Sequence, residues 1–266
     1  MSKQDTALKT VKTGTKVALI TGASSGIGAG LALRQARKGN HIILMARRIE
    51  KLESLAQEIR SLGCEVVVCA ADVTDRDAVN AEIERAVALV GPVDLLIANA
   101  GMGMPTPAHR FDASTFERVV SVNLVGAANC VAAVIPSMIE RGTGQLVCIA
   151  SLAGYRGLPG SAAYCASKAG MRSFFESLRL DLVSSPITVT TICPGFIKTP
   201  MTDSQKLPMP FIMELEPALS KMDRAIERGV AEYAFPFPLS TIVRLARWLP
   251  NFMYDRVMGA KARKKN

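Results

Sequence analysis

Short apolar runs recur along the chain at roughly 17–21, 42–46, 65–70, 93–98, 145–150 and 187–193, each followed by an amphipathic stretch. No other feature restricts the possible fold as much. Runs of five to seven apolar and β-branched residues are too short for buried helices and read as strands covered on both faces. Helical segments between such strands lead each crossover back in the same direction, which makes parallel βαβ units. The expectation is one α/β domain with a doubly wound, mostly parallel sheet and helices on both faces. The 266 residues suit one large domain with a sizeable core. No repeat, low-complexity linker or second glycine-rich boundary divides them. Residues 1–13 read as a polar tail, 14–238 as the body and 239–266 as an amphipathic basic extension.

The first run, VALIT (17–21), leads directly into GASSGIG (Gly22–Gly28) and then into a helical stretch, 26–39, that stops at Gly39. Strand, glycine turn and helix form the phosphate-binding half of a Rossmann-type dinucleotide fold. Gly22 allows the tight turn, Gly26 the close approach of backbone to a pyrophosphate, and Gly28 the packing of helix on sheet, with Ile27 between them in the first turn. The pyrophosphate sits at the positive end of the helix. The spacing is G-x-x-x-G-x-G, where the commoner fingerprint is G-x-G-x-x-G.

The second run, IILMA (42–46), bears on the cofactor. An NAD site places an acid at the end of this strand to accept from the ribose 2′-hydroxyl. Here the position is Ala46, followed by Arg47 and Arg48. A guanidinium holds a 2′-phosphate with a planar fork of donors, and Ser24 and Ser25 add hydroxyls from the glycine loop. The expected cofactor is NADP(H) in preference to NAD. The plainer alternative is that the two arginines merely open a solvated helix, RRIEKLESLAQEIR.

Further on, Tyr164 and Lys168 stand in YCASK, one helical turn apart if 162–184 is a helix. A nearby ammonium favours the phenolate and draws a phenol toward the working range of a general acid/base. Ser151, 13 residues upstream of Tyr164, can hold a substrate oxygen beside that phenol. Alone, the Tyr–Lys spacing is also that of many exposed helix faces.

Together TGASSGIG (21–28), Asp72-Val73, ANAG (98–101), Asn123, Ser151, YCASK (164–168) and PGFIKT (194–199) resemble the short-chain dehydrogenase/reductase family, over about residues 14–200. The resemblance implies Tyr164 as catalytic acid/base and Lys168 as the group that lowers its pKa and binds the nicotinamide ribose. It implies Ser151 as the orienter of the carbonyl or alcohol oxygen and Asn123 as holder of a relay water. For the cofactor it implies Asp72 on the adenine amino group with Val73 beside the ring. Asn99, Ala100 and Gly101 would line a ribose, Pro194 and Gly195 would bound the nicotinamide, and Ile197 and Thr199 would meet its carboxamide. The family often has Asn where this chain has Ala98, which puts one structural hydrogen bond in question. Family members also pair through helices around 112–138 and 162–184, so a homodimer or homotetramer is expected.

The formal charge of +9 is a property of the ends. Residues 1–16 carry four lysines and one aspartate, residues 239–266 seven Lys/Arg and one aspartate, and 17–238 balance at 21 against 21. That removes the main argument for nucleic-acid binding. The six cysteines form no C-x-x-C pair and two lone histidines accompany them, so the expectation is reduced core thiols and no metal. No apolar leader or membrane-length apolar run stands out, which points to a cytoplasmic protein, with a membrane-peripheral one as the alternative.

The substrate side is expected at about 196–230. Phe196, Met201, Leu207, Met209, Phe211, Ile212 and Met213, with Met102, Met104, Leu152 and Leu158, make an apolar, methionine-rich set suited to a hydrophobic carbonyl or alcohol. Part of that set can equally pack a helix onto the body. In the extension, Leu239, Ile242, Val243, Ala246 and Leu249 share a helical face, followed by Trp248, Phe252, Met253, Tyr254 and a basic end. Two readings stay open: a helix docked on this enzyme or on a second subunit, or one lying in a membrane surface. The expected function is an NADPH-dependent oxidoreductase interconverting a ketone or aldehyde and an alcohol. The alternatives are a non-catalytic NADPH sensor of the same fold, or a peripheral membrane protein acting through the extension.

Overall fold

The computed structural model describes residues 15–203 and 209–263, with side chains as far as Gly259. The N-terminal tail, Leu207 and the last basic residues lie outside the described residues. Strands β1 (Val17–Thr21), β2 (His41–Ala46), β3 (Val66–Ala70), β4 (Leu95–Ala98), β5 (Gln145–Ile149), β6 (Thr188–Pro194) and β7 (Glu232–Phe235) form one sheet in the order β3-β2-β1-β4-β5-β6-β7. Every neighbouring pair is parallel. Six of these strands coincide with the apolar runs. β7 escapes the pattern because EYAF is four residues long, opens on an acid and is only partly buried. The chain builds outward from β1 to β3, then returns to β4 and builds the other way. The reversal leaves a crevice beyond the carboxyl ends of β1 and β4, where α/β sheets bind ligands.

Alternate strand residues enter opposite layers. Val17 and Leu19 pack with Val79, Ile83, Val131, Val134 and Phe175 on one face. Ala18 and Ile20 pack with Leu31, Leu52, Ile59 and Leu219 on the other. Helices α3 (Arg76–Val90), α4 (Ala113–Val120), α5 (Gly126–Arg141) and α6 (Ala162–Asp181) cover the first face, and α1 (Gly26–Arg37), α2 (Ile49–Ser61) and α8 (Leu215–Glu227) the second. Between them, α7 (Pro200–Asp203) is a single turn. Asp75 caps α3 through the Ala78 amide, and Asp112 caps α4 through the amides of Ser114 and Thr115.

α4 and α5 are joined through a wide π turn, Ser121–Val125, into one helical run, Ala113–Arg141. By length and composition this run could cross a membrane, contrary to the expectation that no segment would qualify. Its Val119, Cys130, Val131, Val134 and Met138 are buried in the first core layer. All six cysteines are buried and unbonded. Burial pushes the thiols of Cys69, Cys130 and Cys148 up to about 12, which keeps them protonated and unreactive.

The second half of the expected substrate segment is scaffold. α8 lies along α1, where Arg34 pairs with Glu216 and Lys38 with Asp223, and Gln35 donates to Asp223 at 3.0 Å. Beyond β7 come α9 (Leu239–Ala246) and α10 (Asn251–Arg263).

Candidate active site

The glycine loop follows β1 without a break. Gly22 and Gly26 take left-handed backbone angles, φ +65° and +57°, which side chains rarely adopt. A Cβ on Gly28 would lie 2.4 Å from the Gly22 carbonyl oxygen and 2.5 Å from Asn99 Nδ2, so the helix can meet the loop only through glycine. Ser25 caps α1 in extended conformation, and Ile27 packs toward the second core layer. Gly26 faces Thr199, whose side-chain carbons lie 3.5 Å from where its Cβ would be. The glycine loop and the PGFIKT segment thus close on one crevice.

The loop is tied to the end of β4. Thr21 Oγ1 accepts from the amides of Asn99 (3.1 Å) and Ala100 (3.0 Å), while Asn99 Nδ2 donates to the Thr21 carbonyl at 2.9 Å. Ala98 itself is buried.

At the end of β2 the two arginines diverge. Arg48 gathers the glycine-loop hydroxyls, donating to Ser24 from Nε (3.1 Å) and Nη2 (2.7 Å) and to Ser25 from Nη2 (2.9 Å). Arg47 reaches Asp72 instead, at 3.3 Å. Burial works against the Asp72 charge, yet the Thr74 amide and hydroxyl and Arg47 together hold its carboxyl below the usual range. Val73 is buried beneath Gly126, where a Cβ would lie 2.5 Å from Val73 Cγ2.

Asn123, Ser151, Tyr164 and Lys168 converge beside this crevice. Asn123 sits fully buried in the π turn, accepting from the Met102 amide (2.7 Å) and donating to the Met102 carbonyl (3.0 Å) and Ser167 Oγ (2.9 Å). Asn123 Oδ1 and Lys168 Nζ both border Gly101, at 3.3 and 3.5 Å from its absent Cβ. Ser151 stands two residues beyond the end of β5 and opens a 3₁₀ turn, Leu152–Gly154, where its Oγ accepts from the Ala153 amide at 3.1 Å on the side of Tyr164. Tyr164 and Lys168 share one face of α6. Lys168, almost fully buried, donates to the Ile149 carbonyl at 2.8 Å and contacts Met171 Sδ at 3.4 Å.

One electrostatic expectation is corrected here. Burial pushes the Tyr164 phenol above its ordinary value, and the Ser151 hydroxyl offsets only part of that. Lys168 does not draw it down, because its ammonium lies 5.9 Å from the ring centroid and is engaged by the Ile149 carbonyl. Loss of solvation instead lowers Lys168 to about 8.

The model of the family described as short chain dehydrogenase matches residues 16–209. The chain belongs to that family. It is 44% identical over 240 residues to an uncharacterized oxidoreductase of Myxococcus xanthus, covering 90% of this chain and 95% of that protein. It is 37% identical over 191 residues to a 3-oxoacyl-[acyl-carrier-protein] reductase of Staphylococcus aureus, covering 71% and 78%. A solved alcohol dehydrogenase of Thermococcus sibiricus, complexed with 5-hydroxy-NADP, superposes with a TM-score of 0.75 at 26% identity, over 83% of this chain and 96% of that one. This short-chain dehydrogenase is an oxidoreductase, and its cofactor is a nicotinamide dinucleotide.

The remaining expected residues sit on the far wall of the crevice. Pro194 ends β6, the Gly195 amide donates to the Phe235 carbonyl (2.7 Å), and Ile197 is buried against Met213. Thr199 is bound to Thr202 at its amide. In the apolar set Phe196, Met209 and Met213 are half-buried, whereas Phe211 and Ile212 are exposed.

Several contributors of the short-chain dehydrogenase site were missed from sequence. Thr21 is the hub of the β1–β4 tie, and Ser167 anchors Asn123; both lie inside the quoted motifs, and their spacing alone was the available signal. Arg156, Arg172, Tyr155 and Glu232 were invisible. Arg172 stacks 3.7 Å from the Tyr155 ring and pairs with Glu232 at 2.8 Å, bracing the segment just after Ser151.

Proposed function

We propose that this short-chain dehydrogenase is an NADPH-dependent reductase of hydrophobic ketones or aldehydes, able to run in reverse as an alcohol dehydrogenase. The observation that carries the reading is the convergence of Ser151, Tyr164 and Lys168, with Lys168 buried one helical turn from Tyr164 and bordering Gly101 beside Asn123. The left-handed Gly22 and Gly26 and the missing Cβ of Gly28 suit the close approach of a pyrophosphate. Arg48 with Ser24 and Ser25, next to Ala46 where an acid would favour NAD, suits a 2′-phosphate. When bound, NADPH supplies the hydride for the carbonyl carbon.

The rest is the work of this chain. Ser151 orients the carbonyl oxygen by a hydrogen bond, and Tyr164 gives up its phenolic proton as negative charge develops there. A phenol raised by burial is protonated at neutral pH, the form reduction needs. Lys168, buried beside Gly101, is placed to hold the nicotinamide ribose, and Asn123 fixes the Met102 backbone and Ser167. The half-buried Met102, Met104, Leu158, Phe196 and Met213 suit an apolar substrate. Self-association through the outer faces of α4–α5 and α6, where Val125, Ile139 and Leu180 are exposed, fits the same reading.

NADPH oxidation against ketones of increasing size, from short-chain to steroid-sized, tests it. Turnover should rise with apolar size, and Tyr164→Phe should cut it by about 10²–10⁴-fold while NADPH still binds. Retained turnover in that variant refutes the mechanism. Arg48→Ala should weaken NADPH roughly tenfold or more and leave NADH little changed; equal loss of both cofactors refutes the 2′-phosphate assignment. Because Tyr164 must start deprotonated for oxidation, the alcohol-to-ketone rate should climb with pH while the reduction rate falls only on the alkaline side.

A further inference from the structure

We propose that the outer face of α9 and the bend into α10 is a docking surface for an anionic lipid bilayer. α9 has two apolar faces. Leu239, Val243 and Ala246 turn inward, where Leu239 and Val243 join the first core layer, and a side chain at Gly195 would press on Pro236 and Leu239. Ile242 and Leu245 point outward on α9, one turn apart, and Leu249 lies exposed in the bend beyond its end. Docking on its own body therefore accounts for only half of this helix. Trp248 and Phe252, 84% and 74% exposed, extend the outward stripe through the bend.

This surface is tied to the body. Arg156 donates to the carbonyls of Ala246 and Leu249 and to Asn251 Oδ1 (3.0 Å). Its guanidinium lies 3.8 Å over the Tyr254 ring, and the Tyr254 hydroxyl donates to the Gly157 carbonyl at 2.8 Å. A braced pair of helices thus presents aromatic and aliphatic side chains to the outside, beside the loops that carry Ser151 and Gly195.

Charge selects the occupant. Arg247 in the bend and Arg256 on α10 are exposed, and a cavity of about 400 Å³ beside Trp248 is lined by Arg172, Arg179, Arg244 and Arg247 against Glu176 and Glu232. The sequence of 239–266 holds seven Lys/Arg and one aspartate. In a two-fold interface with a second copy, each patch meets its own image, and two such strongly cationic segments would repel. Anionic headgroups complement the cations while the acyl boundary receives Trp248, Phe252 and Leu245. The contact does not depend on which carbonyl is reduced.

Trp248 is the only tryptophan in the chain, so its fluorescence reports the contact directly. Titration of the full protein with vesicles of phosphatidylcholine and phosphatidylglycerol in equal parts should shift its emission to shorter wavelength, and the protein should pellet with them. Leu245→Glu should abolish both effects. Arg247→Glu with Arg256→Glu should weaken binding roughly fivefold or more per site. Turnover of a water-soluble ketone should be unchanged in these variants, which keeps loss of the lipid contact distinct from failure of the reductase reading. No blue shift and no pelleting overturns the proposal. So does equal binding to phosphatidylcholine alone, suppression by free inorganic phosphate as strong as that by lipid removal, or a concentration-dependent dimer that Leu245→Glu dissolves without any vesicle binding.

Discussion

The nucleotide side and the C-terminal third are held together by different means. Around the glycine loop the ties run between backbone groups and short side chains: Thr21 to the amides of Asn99 and Ala100, Asn123 to both polar groups of Met102. In the C-terminal third long side chains span the gaps. Arg156 holds the junction of α9 and α10, while Arg172 and Arg244 converge on Glu232 with Tyr155. The first kind of tie fixes residue type at each position, because only a glycine, threonine or asparagine fits. The second fixes only that some long donor reaches a free carbonyl, and many sequences satisfy that.

If this contrast is right, disturbing the compact side should cost chemistry and disturbing the spanning side should cost mainly attachment. Lys168→Met is the severest test. Turnover should fall by about 10²-fold or more, while the protein gains roughly 1–3 kcal/mol at neutral pH from removal of a buried ammonium. The sign follows from the lowered pKa of about 8: below it the folded state carries the full cost of the buried charge. In the native protein that cost is relieved as pH rises from about 8 toward the unfolded value, so stability should climb in that window and stay flat in the variant. Denaturant titrations across pH would show this, and an unchanged or destabilised variant would break the contrast.

Gly28→Ala should come next. Its methyl must displace backbone that lies 2.4 Å away, so a loss of about 1–3 kcal/mol is expected, with dinucleotide affinity falling alongside, read by cofactor titration. Arg156→Ala should be mildest: roughly 1 kcal/mol, with α9 and α10 open to proteolysis and cofactor affinity untouched. A large effect on cofactor binding there would show that the two sides are coupled.

The sheet was legible in the sequence because both its faces are buried, so each strand had to be an unbroken apolar run. β7 lies at the sheet edge, where that demand lapses, and EYAF carries no such mark. The glycine loop and the Tyr164, Lys168 and Ser151 trio were legible through spacing, since contour along a helix or tight turn is nearly set by residue count. What spacing does not carry is direction. Arg47 and Arg48 looked equivalent, yet one turns to Asp72 and the other to the loop hydroxyls. The proximity of Tyr164 and Lys168 was right, but the Ile149 carbonyl competes for the ammonium and leaves the phenol governed by burial. In the extension, Ile242 and Leu249 were grouped with Leu239 and Val243 on one apolar face; the structure divides that face into an inward and an outward half.

The wide turn at Ser121–Val125 has a consequence for how this chain can vary. The Gly126 amide reaches back to the Ser121 carbonyl, so one residue more than an ordinary turn is threaded through it. Residues in such a turn each advance the wheel by less than the roughly 100° of an ordinary helix, so the extra one is taken up locally between α4, lying on α6, and α5, lying on α3. A single deletion there would mend the ladder of backbone bonds and leave Cys130, Val134 and Met138 toward the sheet, while removing the bulge that carries Asn123. The extra residue thereby serves the site and not the packing of the two helices.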